Sequence, residues 1–161
     1  MATKAEIIAS IEQGMARVQE TFGVLSDEQL ATPVHSEEAG WTAREILIHL
    51  AGRAMGYNLT VRLAEGGGMP AGGGAFNVND WNQRRIDERK EKSRDELLAE
   101  FRAVHEELIT RVQGMSDEFL ARTIPRGPGV TITVAEAMHL GGGQHSINHT
   151  IEVEQALGLT R

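Results

Sequence analysis

Cysteine is absent from the 161 residues. Its absence excludes a disulfide scaffold, a zinc finger, an iron–sulfur cluster and any thiol nucleophile supplied by the chain itself. Aromatic residues make up only 4%, too few for base-stacking platforms or a crowded aromatic core. Positive charge is scarce as well: 16 Lys+Arg against 23 Asp+Glu leave a net charge of −7, the wrong sign for a nucleic-acid or anionic-membrane binder. No apolar run approaches the ~20 residues of a membrane span, and the opening residues Met1–Glu6 lack the apolar core of a secretion signal. These absences predict a cytoplasmic protein that partners neither nucleic acid nor membrane. The length suits one domain spanning 1–161, able to bury roughly two-thirds of its unfolded surface without a staple.

What the chain does have is helical punctuation. Ser or Thr followed three residues later by Glu or Gln satisfies two orphan amides at a helix start. The pattern occurs at Thr3/Glu6, Ser26/Gln29, Thr42/Glu45, Ser93/Glu96 and Thr133/Glu136. Apolar residues at three-to-four spacing follow. Ile7, Ile11, Met15, Val18 and Phe22 predict a first helix; Ile46, Leu47, Leu50, Leu59 and Leu63 predict a second, ending at Gly66. Residues Gly66–Gly74 form a glycine-rich connection. A third helical region runs from about residue 78 to 112, with a charged first half, a break near Ser93 and a stripe of Leu97, Leu98, Phe101, Val104, Leu108 and Val112. A fourth runs from about Val134 to Leu157. Val130, Ile132 and Thr133 read as briefly extended and too few to build a sheet. Ser26–Leu30 before Pro33 is echoed by Ser116–Leu120 before Pro125, each ahead of a Thr-x-x-Glu box. Two helix–loop–helix halves, with short extra helices in the loops, predict an all-α four-helix bundle.

Six histidines carry the functional argument. His145 and His149 stand four apart on the fourth helix, about 40° around the axis and about 6 Å along it, so both rings can reach one point. This is a chelating arrangement for a first-row metal, although such pairs also sit exposed on helix surfaces. His49, between Ile48 and Leu50, reads either as a core histidine bonded to a carbonyl or as a third ligand brought from the second helix. Three imidazoles from two helices would leave coordination positions open and suit Zn, Ni or Fe(II). Gly141, Gly142 and Gly143, one turn before His145, read either as a thin pocket wall permitting close approach or as a local kink. His35 is placed in a loop, His105 as a boundary residue of the third helix between core and surface, and His139 on another face.

Several segments together resemble the DinB/YfiT-like superfamily of metal-binding four-helix bundles. They are Leu25–Leu30, the Trp41–Leu50 stretch, Asp80-Trp81-Asn82 and the His145-x-x-x-His149 pair. The resemblance implies an up-down-down-up bundle, a divalent metal on His49, His145 and His149, and a homodimer. Relatives in that superfamily include bacillithiol S-transferases and mycothiol-dependent maleylpyruvate isomerases. Histidine at both helix-four positions favours the three-histidine type. With no cysteine of its own, the chain would draw any thiolate from a low-molecular-weight thiol cofactor.

Three readings follow: a metal-dependent thiol S-transferase or related detoxification enzyme, with hydrolase or isomerase chemistry open to the same metal; a non-catalytic protein that binds metal or a small-molecule ligand, such as a resistance factor; and a structural bundle. Arg53, one turn past His49, and Arg85, one turn past Trp81, read as holders of an anionic substrate or as ordinary solvated residues. Asn82 reads as a pocket residue or as part of a helix head.

Overall fold

A computed structural model describes residues 2–34, 40–66, 77–127 and 129–159; His35 and positions 67–74 of the glycine-rich connection lie outside the described residues. All five expected capping boxes form, with both reciprocal bonds present at each. They open α1 (Lys4–Phe22), the single-turn α2 (Asp27–Leu30), α3 (Ala43–Ala51), α6 (Arg94–Gly114) and α8 (Val134–Met138). The remaining helices are α4 (Ala54–Ala64), α5 (Val78–Arg89), α7 (Asp117–Leu120) and α9 (His145–Ala156). Among the described residues no helix is long and apolar enough to cross a membrane.

The second helix is not continuous, as its periodicity suggests, but breaks at Gly52 and Arg53 into α3 and α4. Gly52 turns to ψ +10° while its amide still bonds the Ile48 carbonyl at 3.0 Å. The fourth helix is also irregular: residues His139–Gln144 form a π-helical segment joining α8 to α9. The expected break before Ser93 is present, separating α5 from α6.

The internal echo has a structural meaning. After α2, Pro33 and Thr42 form an antiparallel bridge, and the Ala43 amide bonds the Thr32 carbonyl at 3.0 Å. After α7, Thr123 pairs with Thr133, and the Val134 amide bonds the Arg122 carbonyl at 2.8 Å. Each copy delivers a threonine cap to the next long helix. The second copy extends into a hairpin of β1 (Thr123–Gly127) and β2 (Val130–Thr133). A small sheet therefore does form where too few strand residues were expected. The partner strand comes from the Pro-containing segment, and buried Ile124 anchors it to the apolar core.

The core divides into two apolar clusters. One contains Val18 and Phe22 of α1, the buried face of α3, Phe101 of α6 and Val153 of α9. The other contains Ile7 and Ile11 of α1, Tyr57 of α4, Leu108 and Val112 of α6, and Val134 and Met138 of α8. Along α1 and along α8–α9 the chain runs from the second cluster to the first; along α3–α4 and along α6 it runs the other way. The helix directions are thus up-down-down-up. Where the clusters meet, each helix offers small or polar groups: Gly14 on α1, His49 on α3, His105 on α6, and Ser146, His149 and Thr150 on α9. At one end of the bundle, buried Glu154 of α9 accepts hydrogen bonds from Arg17 at 2.6 Å and Thr21 at 2.7 Å, tying α9 to α1.

Candidate metal centre

The three histidines meet in this polar layer. One ring nitrogen from each of His49, His145 and His149 lies within 4.8 Å of the others. His49 Nε2 and His145 Nε2 are 2.8 Å apart. Two nitrogens sharing a cation at about 2.1 Å lie at most about 4.2 Å apart, so ring shifts of under about 1 Å bring the whole set into that range. His49 and His149 are buried and His145 half-buried, which leaves one side of the group accessible.

The environment keeps two of these rings neutral. Burial first, then Arg53, His149 and Arg85, takes His49 from 6.5 down to about 3, against a side-chain interaction with Asn82 that favours the charged form. His145 is shifted the same way, by burial and then Arg53. At neutral pH both present unprotonated lone pairs, which is the form that binds metal.

Orientation comes from neighbours. His149 Nδ1 is 2.7 Å from Glu152 Oε2, so a proton on Nδ1 turns Nε2 to the centre. The side chain of Asn82, buried on α5, lies near enough to the His49 ring to favour its charged form, and the Trp41 indole packs on that ring at 5.0 Å between centroids. Glu152 is a residue that sequence reasoning missed, although an acidic group three residues after a histidine on one helix is a readable signal. Asn82, half read as a helix-head residue, instead touches the site.

The glycines resolve in favour of close approach. A Cβ on Gly14 would lie 3.0 Å from the Gly143 carbonyl, and one on Gly143 would collide with the Ser10 side chain and backbone. On Gly142 it would meet Ile11 at 2.9 Å and Leu108 at 3.1 Å. The element that approaches is α1, and the backbone responds with a local π-helical register. Such segments recur at functional sites.

His105 is not the boundary residue its sequence suggests. It is fully buried, with Nδ1 2.8 Å from the Phe101 carbonyl and Nε2 3.0 Å from the Tyr57 hydroxyl. Burial takes it down to about 4, so it is neutral and serves as a core hydrogen-bonding group. Tyr57 Oη also reaches the Gly141 carbonyl at 3.3 Å, linking α4 to the π-helical segment. His139 stands outside the three-histidine group. Arg53 and Arg85 both act electrostatically on His49.

Comparison with known proteins agrees with this architecture. The family model described as the DinB superfamily matches residues 3–153. No curated protein matches the sequence significantly. Among solved structures, YfiT from Bacillus subtilis is 22% identical with a TM-score of 0.70, over 96% of this chain and 87% of its own. It is described as a probable metal-dependent hydrolase with an unusual four-helix bundle topology. A mycothiol-dependent maleylpyruvate isomerase is 14% identical with a TM-score of 0.72; this chain spans 61% of its length. The colibactin self-resistance protein ClbS, solved in complex with double-stranded DNA, is 13% identical with a TM-score of 0.76 over 100% of this chain and 99% of its own.

The last comparison corrects one expectation. The acidic net charge predicts no nucleic-acid partner, yet a protein of this fold has been crystallised in complex with double-stranded DNA. Net charge sums over the whole surface, whereas phosphates meet only a local patch. The exclusion does not hold.

Proposed function

The chain belongs to the DinB superfamily, and from that membership we propose that it binds a divalent metal on His49, His145 and His149 and acts as a metal-dependent thiol S-transferase or a related detoxification enzyme. The observation that carries the reading is the convergence of three imidazole nitrogens within 4.8 Å, two of them on rings kept neutral by their surroundings. The donor set fits zinc or nickel best, and iron as well. When bound with positions open to an outside ligand, such a cation lowers the pKa of an incoming thiol or polarises a carbonyl.

The protein's own groups do the positioning. Glu152 holds the His149 ring by Nδ1. Asn82 stands against the His49 ring, whose Nε2 is turned toward His145. Trp41 covers the inner face of the site and keeps water from that side. Because the chain has no cysteine, the nucleophilic sulfur must arrive as a small thiol. A cytoplasmic location and a homodimeric assembly belong to the same reading.

A second reading is a non-catalytic protein that sequesters a metal or small molecule, as a resistance factor would; ClbS, of the same fold, is described as a self-resistance protein. The test is metal content by mass spectrometry on protein purified without a histidine tag, before and after reconstitution with zinc or nickel, followed by turnover with a panel of small thiols and electrophiles. One equivalent of metal with metal-dependent turnover supports the enzyme; one equivalent without turnover supports sequestration. Failure to take up any divalent metal overturns the enzyme and metal sequestration alike.

The carboxylate behind His149 offers a graded check. Glu152→Gln keeps the shape and removes the charge that fixes the Nδ1 proton. Partners of this kind are typically worth 10- to 100-fold in metal affinity. Competition with a chromophoric chelator should show a loss of about that size, with helix content unchanged by circular dichroism.

A further inference from the structure

We propose that Arg85, with Arg53 beside it, forms an oxyanion-binding subsite at the edge of the three-histidine group, so that the ligand is a small molecule carrying a carboxylate or phosphate. The inference deepens the metal-binding reading and rests on it only for the location of the reacting end.

Arg85 is 5% exposed, a degree of burial that an arginine rarely reaches without an ionic partner. Among the described residues no carboxylate pairs with it. The two acidic groups near enough to influence it, Glu88 and Glu100, are already engaged: Glu88 with Arg89, and Glu100 with Arg89 and Lys92. Its buried Nε has no hydrogen-bond partner. Its guanidinium carbon lies 4.1 Å from the centroid of the Trp81 ring, so one face is covered by the indole while the hydrogen-bonding edge stays unspent. A planar edge of this kind matches a carboxylate or phosphate with two parallel bonds.

Both guanidinium groups sit where glycine makes room for them. A Cβ on Gly52, three residues past His49, would lie 2.9 Å from Arg85 Nη1. A Cβ on Gly141, four residues before His145, would lie 3.0 Å from Arg53 Nη2. Arg53 has an equally unsatisfied Nε, and its hydrogen bond to the Gly141 carbonyl is long at 3.5 Å. Arg53 and Arg85 act electrostatically on each other and on His49. A protein of net charge −7 thus gathers two guanidinium groups beside His49, and an anion is the complement they lack.

The test is isothermal titration of zinc-reconstituted protein with malonate and, separately, with inorganic phosphate, at constant ionic strength held by chloride. Zinc content is measured on the same samples. Wild type should bind at least one of the two saturably, and the stronger of them identifies the headgroup. Arg85→Met should weaken that binding at least tenfold while zinc content stays at one equivalent. Unchanged anion affinity in Arg85→Met, or no saturable binding of either anion to wild type, overturns the subsite. If the protein takes up no zinc but Arg85→Met still loses the anion, the metal reading fails and the subsite stands. Should Arg85→Met fail to fold by circular dichroism, Gly52→Ala displaces the guanidinium without removing its charge; a loss of threefold or more supports the proposal and no loss overturns it.

Discussion

His145→Ala is expected to lower the divalent-metal content of the protein from one equivalent to under about a tenth, with helix content unchanged by circular dichroism. Zinc sites of four ligands bind with about 10–16 kcal/mol in total, so one ligand contributes roughly 3 kcal/mol, or about a hundredfold in affinity. His145 is the ligand to remove first because it is half-buried and its loss leaves no apolar void. The same variant should lose the rise in melting temperature that added metal gives the wild type, because that rise is binding energy expressed as stability. Full metal content in the alanine variant would show that the three rings do not act together.

The second large effect concerns no ligand at all. Gly143→Ala places a methyl group inside the Ser10 side chain and carbonyl. Rotating the Ser10 side chain cannot relieve the collision, because the added carbon also meets the Ser10 carbonyl. Overpacking of flexible side chains costs about 1–3 kcal/mol, and a collision with backbone should reach or exceed the top of that range. At about 2–4 °C per kcal/mol for a chain this long, thermal unfolding should fall by about 6–12 °C. Gly114→Ala is the control: nothing lies within 4 Å of its added methyl, and melting should hold or rise slightly. Equal melting of Gly143→Ala and wild type would remove the account of the α1 contact.

The helical architecture was legible because its determinants are local. Capping boxes and apolar stripes specify where helices start and which face they bury, and all five boxes form. The i, i+4 pair His145/His149 and the isolated polar His49 on an apolar face were readable for the same reason. What escaped depends on contacts between distant segments. A run of three glycines states that side chains are unwanted but not what comes close; only Gly14 and Ser10, some 130 positions earlier, explain it and the π-helical register. The break at Gly52 needs the guanidinium of Arg85 to be visible as a reason. Likewise Tyr57 and His105 form a buried pair 48 positions apart, and neither neighbourhood alone announces the other. The hairpin was missed because a strand with proline has no local β signature; its partner supplies the pairing.

The polar layer between the two apolar clusters has a mechanical consequence. At that level Met15 packs against both clusters, and α1 meets the π-helical segment through glycine and serine. A cation gripped by α3 on one side and α9 on the other would act there as a rivet across the waist of the molecule. Occupancy of the site and cooperative unfolding of the two lobes then become a single property, so that losing the ion loosens the joint between halves whose own oily interiors remain intact.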